Sequence, residues 1–288
     1  MTTGRRLRVL VAGARGGIGG ACVELLEREG HLVVGVDRDP GAAPSVDGDL
    51  GVERDPGAAH DPGVDRDPGA AHDPGVDRDP GPPGAGAQAV EVADITVPDG
   101  AERAVELAEA RLGGLDGIVH AVGMSGRRFG DGPVTRCTDA AWAEVLRVNL
   151  ESAFRLMRAG LPALERAGGG SFVTIGSALG QSVDRDFMTA AYAVSKGGLA
   201  SLTRTAAMEL AGKGVRVNLV AAGLVETPMA SRALGDERIA GRMAELQPLA
   251  ARAVTAMEVA AAVAWLLSPA SGQTTGASLP VDGGWLLR

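Results

Sequence analysis

Tyr192 and Lys196 stand four residues apart in Ala191-Tyr192-Ala193-Val194-Ser195-Lys196, a spacing that puts both side chains on one face of a helix. Tyr192 is the only tyrosine in the chain. A free phenol ionises near pH ~10 and is a poor base at neutral pH. An ammonium beside it stabilises the phenolate and lowers that value, so the pair can pass a proton to or from a substrate oxygen. A Tyr and a Lys at this spacing are equally compatible with a plain surface pair, but two more polar residues could join them. Ser177 follows Ser171 to Ile175 (SFVTI), which reads as a strand, and so lies at the carboxyl edge where open α/β sheets bind ligands. Asn149 lies in Val148-Asn149-Leu150, inside a helical stretch whose propensity does not favour Asn. Taken singly, Ser177 could cap a turn and Asn149 could face solvent. The four in this order, behind the glycine turn described next, point to one proton-handling site.

That turn reads Ala12-Gly13-Ala14-Arg15-Gly16-Gly17-Ile18-Gly19. Glycines at 13, 17 and 19 allow a sharp turn and close approach of the backbone to a pyrophosphate. A helix opening at Gly17 aims its free N–H groups and positive dipole end at that charge. The context strengthens the reading. The turn follows Leu7 to Ala12 (LRVLVA), a buried strand, and starts a helix with Ile18, Cys22, Leu25 and Leu26 on one face. His31 to Val36 (HLVVGV) is a second strand, ended by Asp37 about 20 residues after the turn. A carboxylate there can accept hydrogen bonds from the adenosine ribose of NAD and repel the extra phosphate of NADP. NAD is therefore the expected cofactor. NADP stays open, because Arg15 or Arg38 could reach a 2′-phosphate.

The elements that must position these residues can be read onward from there. Ala89 to Ala93 is a third strand and Pro98 to Leu112 a helix, with Pro98 in its first turn. Leu115 to Ala121 is a fourth strand. Thr138 to about Ala167 is a long helix interrupted near Pro162. After the fifth strand come a helix from Thr189 to Ala211, a strand from Val215 to Val220 and mixed loop and short helix over 223–255. A helix from Met257 to Leu267 and a strand from Ala277 to Val281 close the chain. Strands alternating with helices predict a Rossmann-like, doubly wound parallel sheet of about seven strands with helices on both faces. The chain reads as a single domain over 1–288.

Residues 38–88 break the pattern. They are rich in Asp, Pro, Gly and Ala, and Val52 to Gly63 recurs from Val64 with Glu53 replaced by Asp65. A third copy starts at Val76. Such a segment cannot bury enough apolar surface to offset its ordering entropy, so it is expected to be a disordered surface insertion. Its Asp-rich units do not match a calcium-loop spacing, and they have no apolar face to stack as a solenoid.

Composition narrows the function classes. Hydrophobic residues make up 45% of the 288, but aromatics only 3%, so the core must rest on Ala, Val, Leu and Ile. The net charge of -8 and the lack of a basic patch argue against a nucleic-acid partner. Cys22 and Cys137 give neither a disulfide framework nor a metal spacing, and no metal site is expected. No apolar run approaches the ~20 residues of a membrane span, and the amino terminus lacks the apolar stretch of a signal peptide. A soluble, cytoplasmic protein without a membrane partner is expected.

Together these motifs resemble the short-chain dehydrogenase/reductase family in its shorter, single-domain form, over residues 7–37 and 89–288. Gly13 to Gly19 is similar to the family's Gly-x-x-x-Gly-x-Gly turn, and Asn149, Ser177, Tyr192 and Lys196 fall where its catalytic tetrad falls. Asp94-Ile95 resembles the pair that contacts adenine. Gly223-Leu224-Val225-Glu226-Thr227 resembles the loop that holds the nicotinamide carboxamide. Asn218 and the Asp282-Gly283-Gly284 ending also match. The resemblance implies cofactor contacts at Gly13, Arg15, Gly17, Ile18, Gly19, Asp37, Asp94, Ile95, Gly123, Tyr192, Lys196, Gly223, Val225 and Thr227. It implies a homo-oligomer, a tetramer in many members. Three departures stand out. His120-Ala121-Val122-Gly123 replaces the usual Asn-Asn-Ala-Gly, and His120 is read as structural. Ala222-Gly223 replaces the usual Pro-Gly, and the repeat lengthens the connection after the second strand.

The implied mechanism is hydride transfer between NAD(H) and a secondary alcohol or ketone. Tyr192 moves the proton, Lys196 binds the nicotinamide ribose and lowers the Tyr192 pKa, Ser177 orients the oxygen, and Asn149 holds a water. An alternative is an NADPH-dependent ketoreductase acting on an acyl-carrier or polyketide substrate, which Asp37 opposes. A non-catalytic nucleotide-binding regulator would be expected to have a broken tetrad. The substrate pocket falls to 123–132, 179–191 and 224–249, where Arg127 and Arg128 could meet an anionic small-molecule substrate or sit solvated in a loop.

Overall fold

The computed structural model describes residues 5–38 and 90–288. Strand β1 (Arg8–Ala12) leads into helix α1 (Gly17–Arg28) and strand β2 (Leu32–Asp37). Then follow β3 (Glu91–Val92), α2 (Gly100–Leu112), β4 (Gly117–His120), α3 (Asp139–Leu146), α4 (Ser152–Arg166), β5 (Gly170–Ile175) and α5 (Ala190–Leu210). Strand β6 (Val215–Ala222), three one-turn helices α6 (Ser231–Leu234), α7 (Glu237–Ala240) and α8 (Met243–Leu246), α9 (Ala256–Leu267) and β7 (Ser278–Val281) complete the order. The strands form one parallel seven-stranded sheet in the order β3-β2-β1-β4-β5-β6-β7. This is the doubly wound architecture that the alternation of strands and helices predicts. The order reverses between β1 and β4, which opens a crevice at the carboxyl ends of those strands.

Strand alternation explains the two cores. Leu10, Ala12, Ile118 and Phe172 point to one face and pack with α2, α4 and α5, whereas Val9, Val11, Val119 and Val173 point to the other and pack with α1 and α9. Phe172 is fully buried, and its truncation to Ala should cost about 3–5 kcal/mol. With few aromatics available, close approach does the filling. A Cβ on Gly160 of α4 would lie 2.4 Å from Ile118 Cδ1.

The sequence-based boundaries shift in three places. The third strand shrinks to Glu91–Val92 at the sheet edge. Helix α2 starts at Gly100 and leaves Pro98 outside, because Asp99 is left-handed at φ 59° and cannot be a helical residue. The long helix is not interrupted at Pro162, through which α4 continues. Pro162 and Arg158 lie on the exposed face, so water can take up the Arg158 carbonyl whose helical bond proline removes. The irregularity lies earlier, in a π-helical turn over Arg147–Glu151. The Asp/Pro/Gly-rich repeat, apart from Arg38, lies outside the described residues.

Among the described residues no helix is long and apolar enough to cross a membrane. Among them, no group of three or more His, Cys, Asp or Glu side chains converges as a metal site.

Candidate active site

The turn after β1 is built from backbone. Gly13 has φ 84°, and a Cβ there would come within 2.8 Å of the Ala121 carbonyl beyond β4. A Cβ on Gly19 would lie 2.0 Å from the Gly13 oxygen, and one on Gly17 would lie 2.7 Å from Thr227 Cγ2. The first turn of α1 has no side-chain cap and no acidic residue, so its N–H groups and dipole are left for an anion. Side chains at 13, 17 or 19 would collide with Ala121, Thr227 or Gly13, so glycine keeps the turn tight, and its open backbone N–H groups suit a pyrophosphate. Half-buried Ile18 follows in the same turn. At the end of β2, Asp37 Oδ2 accepts the Arg15 N–H at 3.1 Å and Oδ1 accepts the Arg38 N–H at 2.8 Å. Those amides fix the carboxylate beside the cradle, while the Arg15 and Arg38 side chains are exposed.

The other expected cofactor contacts gather on the same edge. Asp94 lies just past β3, with its carboxylate accepting both the Thr96 N–H (2.8 Å) and the Thr96 hydroxyl (2.7 Å). Ile95 is buried in the core, so its main chain is the part left for a ligand. Gly123 faces Lys196 and Asn149, since a Cβ there would lie 3.4 Å from Lys196 Nζ and 3.5 Å from Asn149 Oδ1. The segment from Gly223 to Thr227 is tied down by Gln247, which accepts the Leu224 N–H at 2.6 Å and donates to the Leu224 and Arg252 carbonyls at 3.3 and 2.7 Å. Val225 bridges Val254. Gln247 was not singled out from sequence, and at a sequence separation of 23 from Leu224 no local pattern announces it.

Ser177, Tyr192 and Lys196 meet at the carboxyl end of β5. Lys196 Nζ donates to the Ile175 carbonyl at 3.0 Å and lies 5.7 Å from the centre of the Tyr192 ring. Burial lowers the Lys196 pKa to about 8. Burial raises the Tyr192 pKa, and a hydrogen bond with Ser177 only partly opposes it. Desolvation of the phenolate is thus the larger influence on Tyr192 in the protein without cofactor. Ser177 Oγ also accepts the Leu179 N–H at 3.2 Å.

Asn149 sits in the π-helical turn and is fully buried. Its Oδ1 accepts the Met124 N–H at 2.8 Å, while Nδ2 donates to the Met124 carbonyl and to Ser195 Oγ, both at 3.0 Å. Both amide hydrogens are thus used within the protein. Ser195 donates in turn to the Tyr192 carbonyl at 2.7 Å, so Asn149 braces the Tyr192 turn. Asp131, also not singled out from sequence, does so more directly. Thr189 makes no side-chain cap on α5, and Asp131 accepts the Ala191 and Tyr192 N–H groups at 3.0 Å each from 60 residues upstream. A carboxylate suits a helix N-terminus.

His120 is a fully buried interior group. Ser152 Oγ donates to the Val148 carbonyl at 2.6 Å, so the 2.9 Å contact with His120 Nε2 requires the ring nitrogen to be the donor. Nδ1 has no partner among the described residues. Burial and the nearby Lys196 charge lower the His120 pKa to about 3. The side chain is neutral at physiological pH, as a structural histidine must be.

Comparison with known proteins identifies the family. Residues 83–286 match the family model described as enoyl-(acyl carrier protein) reductase. The chain is 31% identical over 275 residues to 3-oxoacyl-(acyl-carrier-protein) reductase of Escherichia coli K12, which covers 96% of this chain and 95% of the relative. It is 31% identical over 277 residues to cis-4-hydroxycyclohexanecarboxylate dehydrogenase of Sinomonas cyclohexanicum, with the same 96% and 95% coverage. The solved short-chain type dehydrogenase/reductase of Mycobacterium ulcerans superposes with a TM-score of 0.78 at 29% identity, over 100% of this chain and 92% of that one. The chain belongs to the short-chain dehydrogenase/reductase family and is an NAD(P)-dependent oxidoreductase acting on hydroxyl-bearing or carbonyl carbons of small molecules.

Proposed function

We propose that the chain moves a hydride between NAD(H) and a secondary alcohol or ketone, with Tyr192 as the general acid and base. The observation that carries this is the meeting of Ser177, Tyr192 and Lys196 on the sheet edge that also holds an uncapped glycine turn. Gly13, Gly17, Ile18 and Gly19 would hold the pyrophosphate, Asp37 the adenosine ribose, and Asp94 and Ile95 the adenine. Gly123, Gly223, Val225 and Thr227 would border the nicotinamide half, and Lys196 would bind its ribose. The bound nicotinamide supplies the hydride donor or acceptor. Ser177 holds the substrate oxygen and shares its developing charge. Tyr192 gives that oxygen a proton in reduction and takes one in oxidation. Asn149 keeps one free Oδ1 lone pair for a water beside Lys196.

Asp37 supports NAD over NADP, because two backbone amides hold its carboxylate at the end of β2 where a 2′-phosphate would meet its charge. In that reading Arg15 and Arg38 contribute their main chains. A second reading rests on the relatives' names, several of which are acyl-carrier reductases: an NADPH-dependent ketoreductase, with Arg15 on the extra phosphate. Exposed Trp142, Phe154, Val194 and Met208 on α3, α4 and α5 fit a homo-oligomer, with a tetramer as the expected size. Tyr192→Phe tests the chemistry. Turnover should fall by about 10²–10⁴ while NADH still binds, and turnover at the wild-type rate would refute the assignment.

A further inference from the structure

Asn149 holds Met124 on one side and, through Ser195, the Tyr192 carbonyl on the other. It does so from the π-helical turn over Arg147–Glu151. An α-helix sets its own register by repeating one bond from each residue to the fourth before it. A π turn breaks that repeat with an extra residue, is rare, and occurs often at functional sites. Something outside the helix must therefore decide where the extra residue falls.

That outside hold is found at Ser152, the first residue after the turn. Ser152 is fully buried, and its hydroxyl donates back across the turn to the Val148 carbonyl at 2.6 Å. A serine hydroxyl is a free rotor with several possible partners. Here the Nε2–H of His120 occupies its acceptor side at 2.9 Å and leaves its hydrogen for Val148. His120 ends β4 with neighbours on both sides, in register with Ala12 of β1 and Thr174 of β5. Core strands are the last parts of a fold to open, so the donor is a fixed point. Contacts then run from sheet to site: His120 to Ser152, Ser152 to Val148, and from the adjoining Asn149 through Ser195 to the Tyr192 carbonyl. The asparagine usual at this place in the family carries its amide one atom closer to the backbone than the imidazole Nε2, so the histidine has a reach that asparagine lacks.

We propose that His120 is a positioning residue for the proton-handling site: by donating to Ser152 from the rigid sheet, it sets the register of the π turn and, through Asn149, the placement of Tyr192. This rests on the reading of Tyr192 as the general acid and base, and it adds a residue that touches neither substrate nor cofactor. His120 acts as a fixed hydrogen-bond donor and carries no proton in the reaction.

The test compares His120→Asn, His120→Gln and Ser152→Ala. Glutamine carries an N–H as many bonds from the backbone as the imidazole Nε2, and asparagine does not. Turnover is read on a panel of secondary alcohols and ketones, cyclohexanol and ethyl acetoacetate among them, with NAD(H) and NADP(H). The kcat should fall about 10- to 100-fold in His120→Asn and in Ser152→Ala, with KM and cofactor affinity little changed, and His120→Gln should recover most of the loss. Adding His120→Asn to Asn149→Ala should cost little beyond Asn149→Ala alone, because both act through the same side chain. Hydrogen exchange gives a readout apart from turnover: the amides of 147–153 and of Met124 should exchange faster in His120→Asn and Ser152→Ala than in the wild type or His120→Gln. Ser152→Ala removes a single hydroxyl and keeps the test valid should a His120 variant fold poorly. Wild-type kcat and exchange in both His120→Asn and Ser152→Ala would overturn the proposal, as would glutamine serving no better than asparagine, or losses that add fully to that of Asn149→Ala. Turnover surviving in Tyr192→Phe would sink the acid–base reading instead, and the exchange rates would still decide whether His120 sets the turn.

Discussion

Over β1 and β2 the crevice is made of backbone. The cradle is a close approach of Gly13, Gly17 and Gly19 to main-chain and loop atoms, and even Asp37 is positioned by two backbone amides, of Arg15 and Arg38. Over β5 and β6 it is made of side chains whose partners come from far along the chain. Asp131 caps the Tyr192 helix from 60 residues away, and Arg242 reaches Asp184 at 2.9 Å from 58 residues away while also pairing with Asp186. Arg288 joins Asp184 at 3.1 Å and stacks over Trp285. Backbone recognition needs a fixed local geometry and tolerates no added atoms. Side-chain recognition needs buried charge and polar groups, and it pays in pH sensitivity. The first half should fail by steric insertion and the second by titration or charge removal.

The largest effect expected from that contrast is acid destabilisation through His120. Its pKa falls from about 6.5 to about 3 on folding, so the unfolded chain binds a proton that the folded chain refuses. Stability is lost as pH falls through that window, by up to about 4–5 kcal/mol. His120→Asn should flatten the acid limb of a denaturation-versus-pH series, and an unchanged limb would mean the buried imidazole is not responsible. Lys196 works in the opposite range. Its pKa falls from 10.5 to about 8, so the wild type should gain stability as pH rises from about 8 to 10.5. Lys196→Met should be about 3 kcal/mol more stable at pH 7 and catalytically dead. A less stable Lys196→Met protein would show that the Ile175 carbonyl bond outweighs the desolvation of the ammonium.

In the backbone half the effects are smaller in stability and larger in binding. Gly19→Ala places a methyl group on the Gly13 oxygen and should cost about 1–3 kcal/mol in stability, together with most NADH affinity in a fluorescence titration. Normal NADH binding by that variant would break the comparison. Asp37→Ala should be nearly neutral in stability and lower the preference for NADH over NADPH about tenfold or more.

This division also governs how much could be read in the sequence. The strands, the glycine turn and Asp37 are local patterns, so short apolar runs and glycine spacing placed them. The meeting of Ser177 with Tyr192 and Lys196 followed from helical spacing plus a strand end. The π-helical turn that buries Asn149 has no local signature, and Pro162, the local signal that was present, marked a position where exposed backbone tolerates it. Asp131, Gln247 and the Asp184–Arg242 pair act through tertiary contacts, and composition and periodicity say nothing about which distant carboxylate will face which amide. Burial of Tyr192 is hidden for the same reason: Lys196 is visible four residues away in the sequence, whereas the desolvation that raises the phenol's pKa is a tertiary property.

The most direct test of the central claim is to titrate NADH and NADPH separately into the wild-type protein and follow nicotinamide fluorescence. Tight NADH binding with NADPH at least about tenfold weaker is what the cradle and the Asp37 carboxylate require. Tighter NADPH binding would contradict the role given to Asp37, and binding of neither would contradict the cradle itself.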